Sequence, residues 1–203
     1  MTERLPERWK DVLEYWFGKP EETKEYFNSR NKLWFGAAEK TDEHIRAHFA
    51  KDVESASRGE ISAWEDQPES CLALILLLDQ FSMNMERDTR RCYERSSMSI
   101  PIAERAIASG FDRQVHISQR VFFYLPLEHS ESLSHQRKGI ELFQQMTLDY
   151  PAAVREKAEG FLRFAVLHFE VIEKFGRFPG RNELFGRKST EEEKRYLDEG
   201  GWL

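Results

Sequence analysis

The sequence predicts an all-α protein built from antiparallel helical hairpins. Apolar residues recur at helical spacing along nearly the whole chain, and no pair of alternating strands or tight hairpin turn interrupts them. One uninterrupted apolar run, Cys71 to Leu78, has no polar face and must be buried on all sides. With 203 residues and no low-complexity linker, the chain is expected to form a single helical domain over residues 1–203, either a bundle or a short solenoid.

Three helices are predicted in the first third of the chain. Apolar positions from Trp9 to Phe17 share one helix face, and Gly18 ends that segment. A second helix is expected over about residues 21–35. Thr41 is the predicted N-cap of a third helix, which Gly59 ends.

The apolar run is predicted to be the central helix of the fold. Pro68 is expected to begin it, because proline is tolerated in a first helical turn. Helix is favoured over a buried strand, since Ile75 is the only β-branched residue of the run. The other helices should therefore pack around this segment.

The next two helices are expected to be shaped by proline. Thr89 is the predicted N-cap of a helix in which Pro101 should cause a kink or a break. Ser118 begins a short apolar segment that is expected to stop at Pro126. Both prolines are therefore predicted to interrupt helical structure.

Three further helices complete the prediction. One carries an apolar face from Leu133 to Thr147, and a longer one begins at Pro151 and ends at Gly176. Thr190 and Glu193 form a capping box for a short last helix. The loop between the last two helices is rich in glycine, arginine and phenylalanine.

Composition argues against nucleic acid and membranes as partners. The net charge is −6, so no strong overall field attracts phosphate. The longest apolar run is far shorter than the ~20 residues of a membrane-spanning helix. Cys71 and Cys92 form no CxxC pair, which argues against a disulfide framework or a cysteine zinc site, and Cys71 opens the apolar run as an expected core thiol. The polar start of the chain, without an apolar signal core, favours a cytoplasmic protein. Homo-oligomer formation is left open by these features.

The sequence contains no signature of a cofactor or metal site. It lacks GxGxxG, the P-loop, HExxH and GxSxG. No histidine has a glutamate three positions before it, as di-iron bundles require. His44 and His48 lie one turn apart but flank the apolar face among charged residues, so a solvated helix face is predicted. We expect no cofactor and no metal ligand.

Two polar residues fall where the pattern predicts burial. Asp79 follows the central apolar run, so a buried carboxylate there would need a cationic or hydrogen-bonding partner, with arginine the natural candidate. Its alternative role is in a binding site. His168 lies on the apolar stripe of its helix and is either a satisfied core histidine or part of a pocket lining.

A short segment after the predicted stop at residue 126 concentrates ionisable groups. Glu128 or Glu131 could form an acid–base pair with His129. The two carboxylates could equally stabilise the N-terminus of the following helix. Gln136 occupies an apolar-stripe position seven residues after His129, and its side chain would project to the same side if that helix begins early enough.

The loop from residue 175 to residue 187 carries three arginines among glycines and aromatics. Guanidinium groups bind carboxylate or phosphate, so Arg177, Arg181 and Arg187 could form an anion site. Alternatively, these arginines tie the loop to core carboxylates such as Asp79. The sequence leaves both interpretations open.

Several motifs occur together in one order along the chain. They are Tyr15-Trp16-Phe17-Gly18, Leu74 to Phe81, Asn84 with Arg87, Leu125 to Glu131, Gln136, His168, Phe175 to Asn182, and Leu184 to Thr190. Through them the chain resembles the family catalogued as domain of unknown function 924, over roughly residues 12–197. The resemblance implies a tetratricopeptide-like helical fold, a right-handed solenoid or bundle. It implies no known activity.

The chain departs from the usual pattern of that family at five positions. Ser82 and Met83 stand where Pro-Arg is usual, and Ser96 stands where aspartate is usual. Gly180 replaces a histidine, and Glu86 replaces an apolar or aromatic residue. These changes remove a positive charge, a carboxylate and an imidazole, so chemistry that needs them would be absent or altered.

Two functions are compatible with these features. The first is binding of a small anionic molecule or peptide in an internal polar pocket, with acid–base catalysis as an option. The predicted catalytic residues are His129, His168 and Glu128. The predicted ligand-binding residues are Asp79, Asn84, Arg87, Glu131, Gln136, Arg177, Arg181, Asn182 and Arg187. The alternative is a non-catalytic protein-interaction scaffold of the tetratricopeptide-like class.

Overall fold

The computed structural model describes residues 7–36, 39–87 and 89–201, and these residues form an all-α fold. No β-strand occurs within those three ranges, so the predicted fold class is confirmed. The helices are α1 (Arg8–Phe17), α2 (Lys24–Phe35), α3 (Glu39–Ser57), α4 (Pro68–Leu76), α5 (Ser82–Met85), α6 (Arg90–Ala108), α7 (Ile117–Glu128), α8 (Leu133–Asp149), α9 (Arg155–Phe175) and α10 (Glu191–Asp198). A π-helical turn, Leu77–Phe81, joins α4 to α5.

The first three helices begin and end close to the predicted positions. Gly18 ends α1 with a positive φ of 56°, a conformation that glycine adopts readily. The indole nitrogen of Trp34 donates to the carbonyl of Trp16 at 2.9 Å, which fixes α2 against α1. The predicted N-cap at Thr41 is wrong, because α3 begins at Glu39, where an acidic residue suits the first turn.

α4 is the central helix, as the apolar run predicts. Its residues from Cys71 to Leu76 are at most 2% exposed, and α1, α6 and α7 pack against it. At Leu77 the regular helix widens into the π-helical turn, which the sequence pattern did not predict. Such turns insert one extra residue into a helix and often lie at functional sites.

Both prolines lie inside helices, so a break at Pro101 and a stop at Pro126 are wrong, while a kink at Pro101 stays a prediction. α6 is continuous through Pro101, and α7 continues past Pro126. Each proline removes one backbone hydrogen bond. Fully buried neighbours, Ala103 in α6 and Leu127 in α7, keep each helix packed on the core. The longer α7 places Glu128 at its C-terminal end.

The C-terminal helices follow the predicted caps with one difference. Thr190 Oγ1 accepts from the backbone nitrogen of Glu193 at 3.1 Å, which confirms the capping box of α10. Gly176 ends α9 with a φ of 69°. α9 begins at Arg155 rather than at Pro151, because a turn occupies the intervening residues.

Helices that are consecutive in the chain pack against one another: α6 on α7, α7 on α8, and α8 on α9. This order of contacts is expected of successive helical hairpins. The tetratricopeptide-like superhelix stays a prediction. Among the described helices, none combines the length and apolar character that crossing a bilayer requires.

Candidate functional site

A cavity of about 820 Å³ opens between α2, α9, the C-terminal end of α7 and the segment formed by the π-helical turn and α5. This volume suits a small organic ligand. Its wall is largely aromatic, with the rings of Phe27, Trp34, Phe35, Phe161 and Phe164. Polar side chains lie at its inner end and at its mouth.

The π-helical turn places Asp79 at the centre of a buried hydrogen-bond network. Asp79 Oδ1 accepts from His129 Nδ1 at 2.8 Å and from the hydroxyl of Ser96. Asp79 Oδ2 accepts from Gln80 Nε2 at 2.7 Å. The expected arginine partner is wrong, because a histidine fills that position. Burial opposes the negative charge, but the charge of His129 and these hydrogen bonds lower the pKa of Asp79 below its ordinary value.

His129 lines the cavity directly after the end of α7. Burial disfavours the imidazolium, but the charge and hydrogen bond of Asp79 outweigh it and raise the pKa of His129. Because the ionised Asp79 can only accept, Nδ1 carries a proton. Nε2 makes no hydrogen bond within the described part of the chain, so it is free to exchange a proton with a ligand.

Glu128 is a second titratable group at the same end of the cavity. It is 5% exposed, and burial together with the nearby charge of Asp79 raises its pKa to about 7, against an opposing effect of His129. Its Oε1 atom lies 3.2 Å from Nδ1 of His168. A carboxyl group with this pKa is close to half protonated at neutral pH, so it can donate a proton or accept one.

His168 is buried on α9 and is neutral. Its Nδ1 atom lies 2.8 Å from the carbonyl oxygen of Phe164, which can only accept, so Nδ1 carries the proton. Burial and the nearby positive charges of His129 and Arg181 lower the pKa of His168 to about 3. The rings of His168 and His129 are 6.2 Å apart, so the structure brings all three predicted catalytic residues together.

Gln136 holds the turn in which His129 lies. Its Nε2 atom donates to the carbonyl oxygens of Glu128 at 2.6 Å and Ser130 at 2.7 Å. Gln136 therefore holds the turn from Glu128 to Ser130 and does not line the large cavity. Neither predicted acidic residue caps α8, since the N-cap is Ser132 and Glu131 accepts from the backbone nitrogen of Phe178 at 2.9 Å.

Asn84 and Arg87 line the same cavity nearer its mouth. Asn84 Nδ2 donates to the carbonyl oxygen of Gln80 at 2.8 Å, which ties α5 to the π-helical turn. Arg87 is paired with Asp42, with a shortest distance of 2.9 Å, and is partly exposed. The positive charge of Arg87 is therefore partly neutralised by Asp42, although the side chain also lines the cavity.

The predicted anion site in the C-terminal loop is not part of the large cavity. Arg177 pairs with Glu193 at 2.6 Å, and Arg187 pairs with Glu131 at 2.6 Å. Asn182 is buried, and its Nδ2 atom donates to Ser189 Oγ at 3.1 Å. Their ligand-binding roles stay predictions. Arg181 borders a smaller, separate cavity.

The sequence analysis did not identify the polar residues at the mouth of the large cavity. Asn28 and Asn31 on α2 line this cavity together with Lys157 and Arg163 on α9, and Lys157 Nζ donates to Asn28 Oδ1 at 2.8 Å. These residues are ordinary polar positions on two amphipathic helices. Only the approach of α2 to α9, more than 120 residues later in the chain, would have identified them.

Comparison with known proteins places the chain in a family. A family described as "Bacterial protein of unknown function (DUF924)" matches residues 12–201. The chain belongs to this family. A solved structure of the protein of unknown function ATU0120 from Agrobacterium tumefaciens is 33% identical, with a TM-score of 0.80, covering 95% of this chain and 98% of that one. The comparison with curated proteins gave no match.

Three departures from the usual DUF924 pattern lie in or near the site. Met83 lines the large cavity with an apolar side chain, at a position where the resemblance implies arginine. Ser96 donates to Asp79, where a second carboxylate would meet the first one. Glu86 forms an ion pair with the buried Arg95 at 3.2 Å. In this DUF924 member, the contacts at the inner end of the cavity therefore join one aspartate, two histidines and one glutamate.

Proposed function

We propose that this protein binds a small anionic organic molecule in the large cavity and acts on it by proton transfer. The observation that carries the proposal is the pair Glu128 and His129, which are adjacent in sequence and both line the cavity, with Glu128 buried and the side chain of His129 14% exposed. Burial raises the pKa of Glu128 to about 7, and the charge and hydrogen bond of Asp79 raise the pKa of His129 above its ordinary value. General acid–base catalysis works best with groups that titrate near the working pH.

The two groups have complementary roles in the proposal. The protonated carboxyl group of Glu128 donates a proton, and Nε2 of His129 accepts one when the imidazole is neutral. Asp79 orients His129 and stabilises the imidazolium that forms, while neutral His168 holds the carboxyl group of Glu128 in position. Enolisation, hydration and dehydration are reactions that need only such an acid and base.

A covalent nucleophile is not part of this proposal. Both cysteines are buried, and burial raises the pKa of Cys71 to about 12 and also raises that of Cys92. Thiols in that state are inert. As free thiols they are also compatible with the cytoplasm, where we place the proposed activity.

The ligand class follows from the wall and the mouth of the cavity. Arg87, Lys157 and Arg163 line the opening, and Glu156 is the acidic residue beside them. In the described part of the chain, Arg163 makes no hydrogen bond or ion pair. An anionic group at the mouth and an apolar body against the aromatic wall would match both features.

A thermal-shift screen of carboxylates and phosphate esters tests binding. A ligand at 100 times its Kd stabilises the folded state by about 2.7 kcal/mol, which raises the Tm of a domain of this size by roughly 5–10 °C. Gly160 lines the cavity on α9 and supplies a matched pair of variants. Gly160→Phe fills the cavity and should abolish the shift, whereas Gly160→Ala adds one methyl group in ordinary contact and should retain it.

A protein-interaction scaffold is the second candidate. The observation that favours it is the exposure of two large aromatic side chains that line the cavity, Phe164 at 53% and Phe35 at 44%. A peptide that binds there should be lost in Phe164→Ser while small molecules leave the Tm unchanged. That combination would contradict the proposed activity and favour the scaffold.

A further inference from the structure

A second cavity, of about 250 Å³, lies between α6, the turn after α7 and the C-terminal loop. His129 lines this cavity as well as the large one. α6 contributes Ser96 and Ser97, and the C-terminal loop contributes Arg181 and Phe185. The volume is sufficient for an ion of the size of acetate or phosphate, and too small for most of the ligands that the large cavity could hold.

Arg181 is a guanidinium group held in a fixed orientation at this cavity. Its Cζ atom lies 4.4 Å from the ring centre of Tyr93 and 4.2 Å from that of Phe178, so it contacts two aromatic rings. One Nη atom donates to the carbonyl oxygen of His129 at 2.8 Å. The group is therefore positioned before any ligand arrives.

The positive charge of Arg181 has no ionised partner among the described residues. Glu131, a carboxylate close enough to influence it, is occupied by Arg187 and the backbone nitrogen of Phe178. Asp79 is occupied by its own three hydrogen-bond donors. A largely buried charge without a counter-charge is unfavourable, and burial accordingly lowers the pKa of Arg181.

Two carboxylates, those of Glu94 and Glu131, also line the small cavity, and each is paired with an arginine at 2.6 Å, Glu94 with Arg90 and Glu131 with Arg187. Phe185, which lines the cavity, has the guanidinium groups of Arg90 and Arg187 5.4 Å and 5.1 Å from its ring centre. The hydroxyl groups of Ser96 and Ser97 donate to Asp79 and to the carbonyl oxygen of Glu94. Arg181 therefore supplies the charged donors that a ligand in this cavity would meet.

We propose that the small cavity is a separate binding site for a small oxyanion, a carboxylate or a phosphate, held by Arg181. The site does not depend on the reaction proposed for the large cavity. It shares His129 with that cavity, so an anion bound at Arg181 adds negative charge near the imidazole and should favour its protonated form. Occupancy of the small cavity would thereby change the acid–base state of the large one.

Histidine NMR of the full-length protein tests this site. Inorganic phosphate or acetate replaces chloride at constant ionic strength, and the ring signals of His129 are followed. We expect a saturable shift and a higher pKa of His129 when the anion is bound. Arg181→Gln should abolish the shift, whereas Glu128→Gln and Gly160→Phe should leave it intact, which separates this site from the proposed activity. Testing free ions first and larger anionic molecules second distinguishes a free ion from an anionic group of a bigger ligand.

A second pair of variants leaves Arg181 and its ring contacts in place. Ser97 is exposed on α6 and lines the cavity. Ser97→Asp introduces a negative charge and should weaken anion binding by about tenfold, while Ser97→Asn should not. No saturable shift in the folded wild-type protein, or equal affinity in these two variants, would overturn the proposal. Loss of binding in Arg163→Gln with retention in Arg181→Gln would place the anion at the large cavity and would also overturn it.

Discussion

Asp79 and His129 are 50 residues apart in sequence and share a hydrogen bond of 2.8 Å between Oδ1 and Nδ1. The carboxylate lies in a π-helical turn, and the imidazole follows the last residue of α7. This pair joins the π-helical turn after the central helix to the turn that follows α7. It also decides the protonation state of the histidine that the proposed reaction uses.

Removal of the carboxylate should destabilise the fold and lower the pKa of His129. For Asp79→Asn we expect a loss of about 1–3 kcal/mol in the free energy of unfolding at pH 6, measured by urea denaturation. Because the pKa of Asp79 is lowered in the fold, its contribution to stability is complete at pH values above its ordinary pKa of 3.8. Because the pKa of His129 is raised in the fold, its contribution is complete at pH values below its ordinary pKa of 6.5. The loss should therefore be greatest between about pH 4 and pH 6.5. Ser96→Ala, which keeps the carboxylate, is the control, and an unchanged His129 pKa in Asp79→Asn would contradict the assignment.

Glu128 should make the protein less stable as the pH rises. Its pKa is raised from 4.5 to about 7, so the folded state binds the proton more tightly than the unfolded state. Stability from this group is complete below pH 4.5 and is lost as the pH rises through 7. Glu128→Gln removes the effect, so the stability of the variant relative to wild type should increase by about 2–3 kcal/mol from pH 4.5 to pH 8. Denaturation curves at the two pH values measure this difference, and a constant difference would show that Glu128 is ionised in the fold.

His168 should have the opposite pH dependence. Its pKa is lowered from 6.5 to about 3, so the unfolded state binds the proton first as the pH falls. Its contribution is present above pH 6.5 and decreases towards pH 3. Relative to wild type, His168→Gln should gain about 2 kcal/mol between pH 6.5 and pH 5, since glutamine can still donate to the carbonyl of Phe164. A folded-state imidazole that titrates near pH 6.5 by NMR would contradict this prediction.

The proposed chemistry predicts a bell-shaped dependence of kcat/KM on pH for any substrate that the thermal-shift screen identifies. One of Glu128 and His129 must hold the proton while the other has released it. Glu128→Gln and His129→Gln should each lower kcat by about 10²–10⁴-fold. Ligand affinity, measured by calorimetry, should change much less, because both variants keep the cavity. A loss of affinity with unchanged kcat would indicate that the two groups only bind the ligand.

The caps show what local sequence determines well. Gly18, Thr190 and Gly176 are found at the helix ends that the pattern predicts. The predictions of a break at Pro101 and of a stop at Pro126 were wrong, because they also rested on a local rule. The rule counts the hydrogen bond that Pro101 or Pro126 removes, but not the packing of the buried residues around it, which keeps each helix continuous.

For the candidate site residues, the local sequence pattern identified the titratable groups of the site better than it identified which side chains pair with one another. Glu128, His129 and His168 stand out because polar groups occur at buried positions, and they do meet at one end of the cavity. The arginines of the C-terminal loop stand out equally, yet Arg177 and Arg187 are neutralised by nearby carboxylates. Whether an arginine forms an ion pair depends on distances between side chains that the sequence does not give.

The sequence by itself determined the all-α class, most helix ends and the burial of the segment from Cys71 to Leu78, because these follow from periodicity and capping within one or two helical turns. Only the tertiary structure decided that His129 is the partner of Asp79, that α2 and α9 enclose a cavity, and that Arg181 borders another. The physical reason is the distance along the chain over which the deciding interactions act. Helix formation is governed by neighbours three or four residues apart, whereas hydrogen-bond partners, burial and pKa values depend on side chains that only the packed fold brings together.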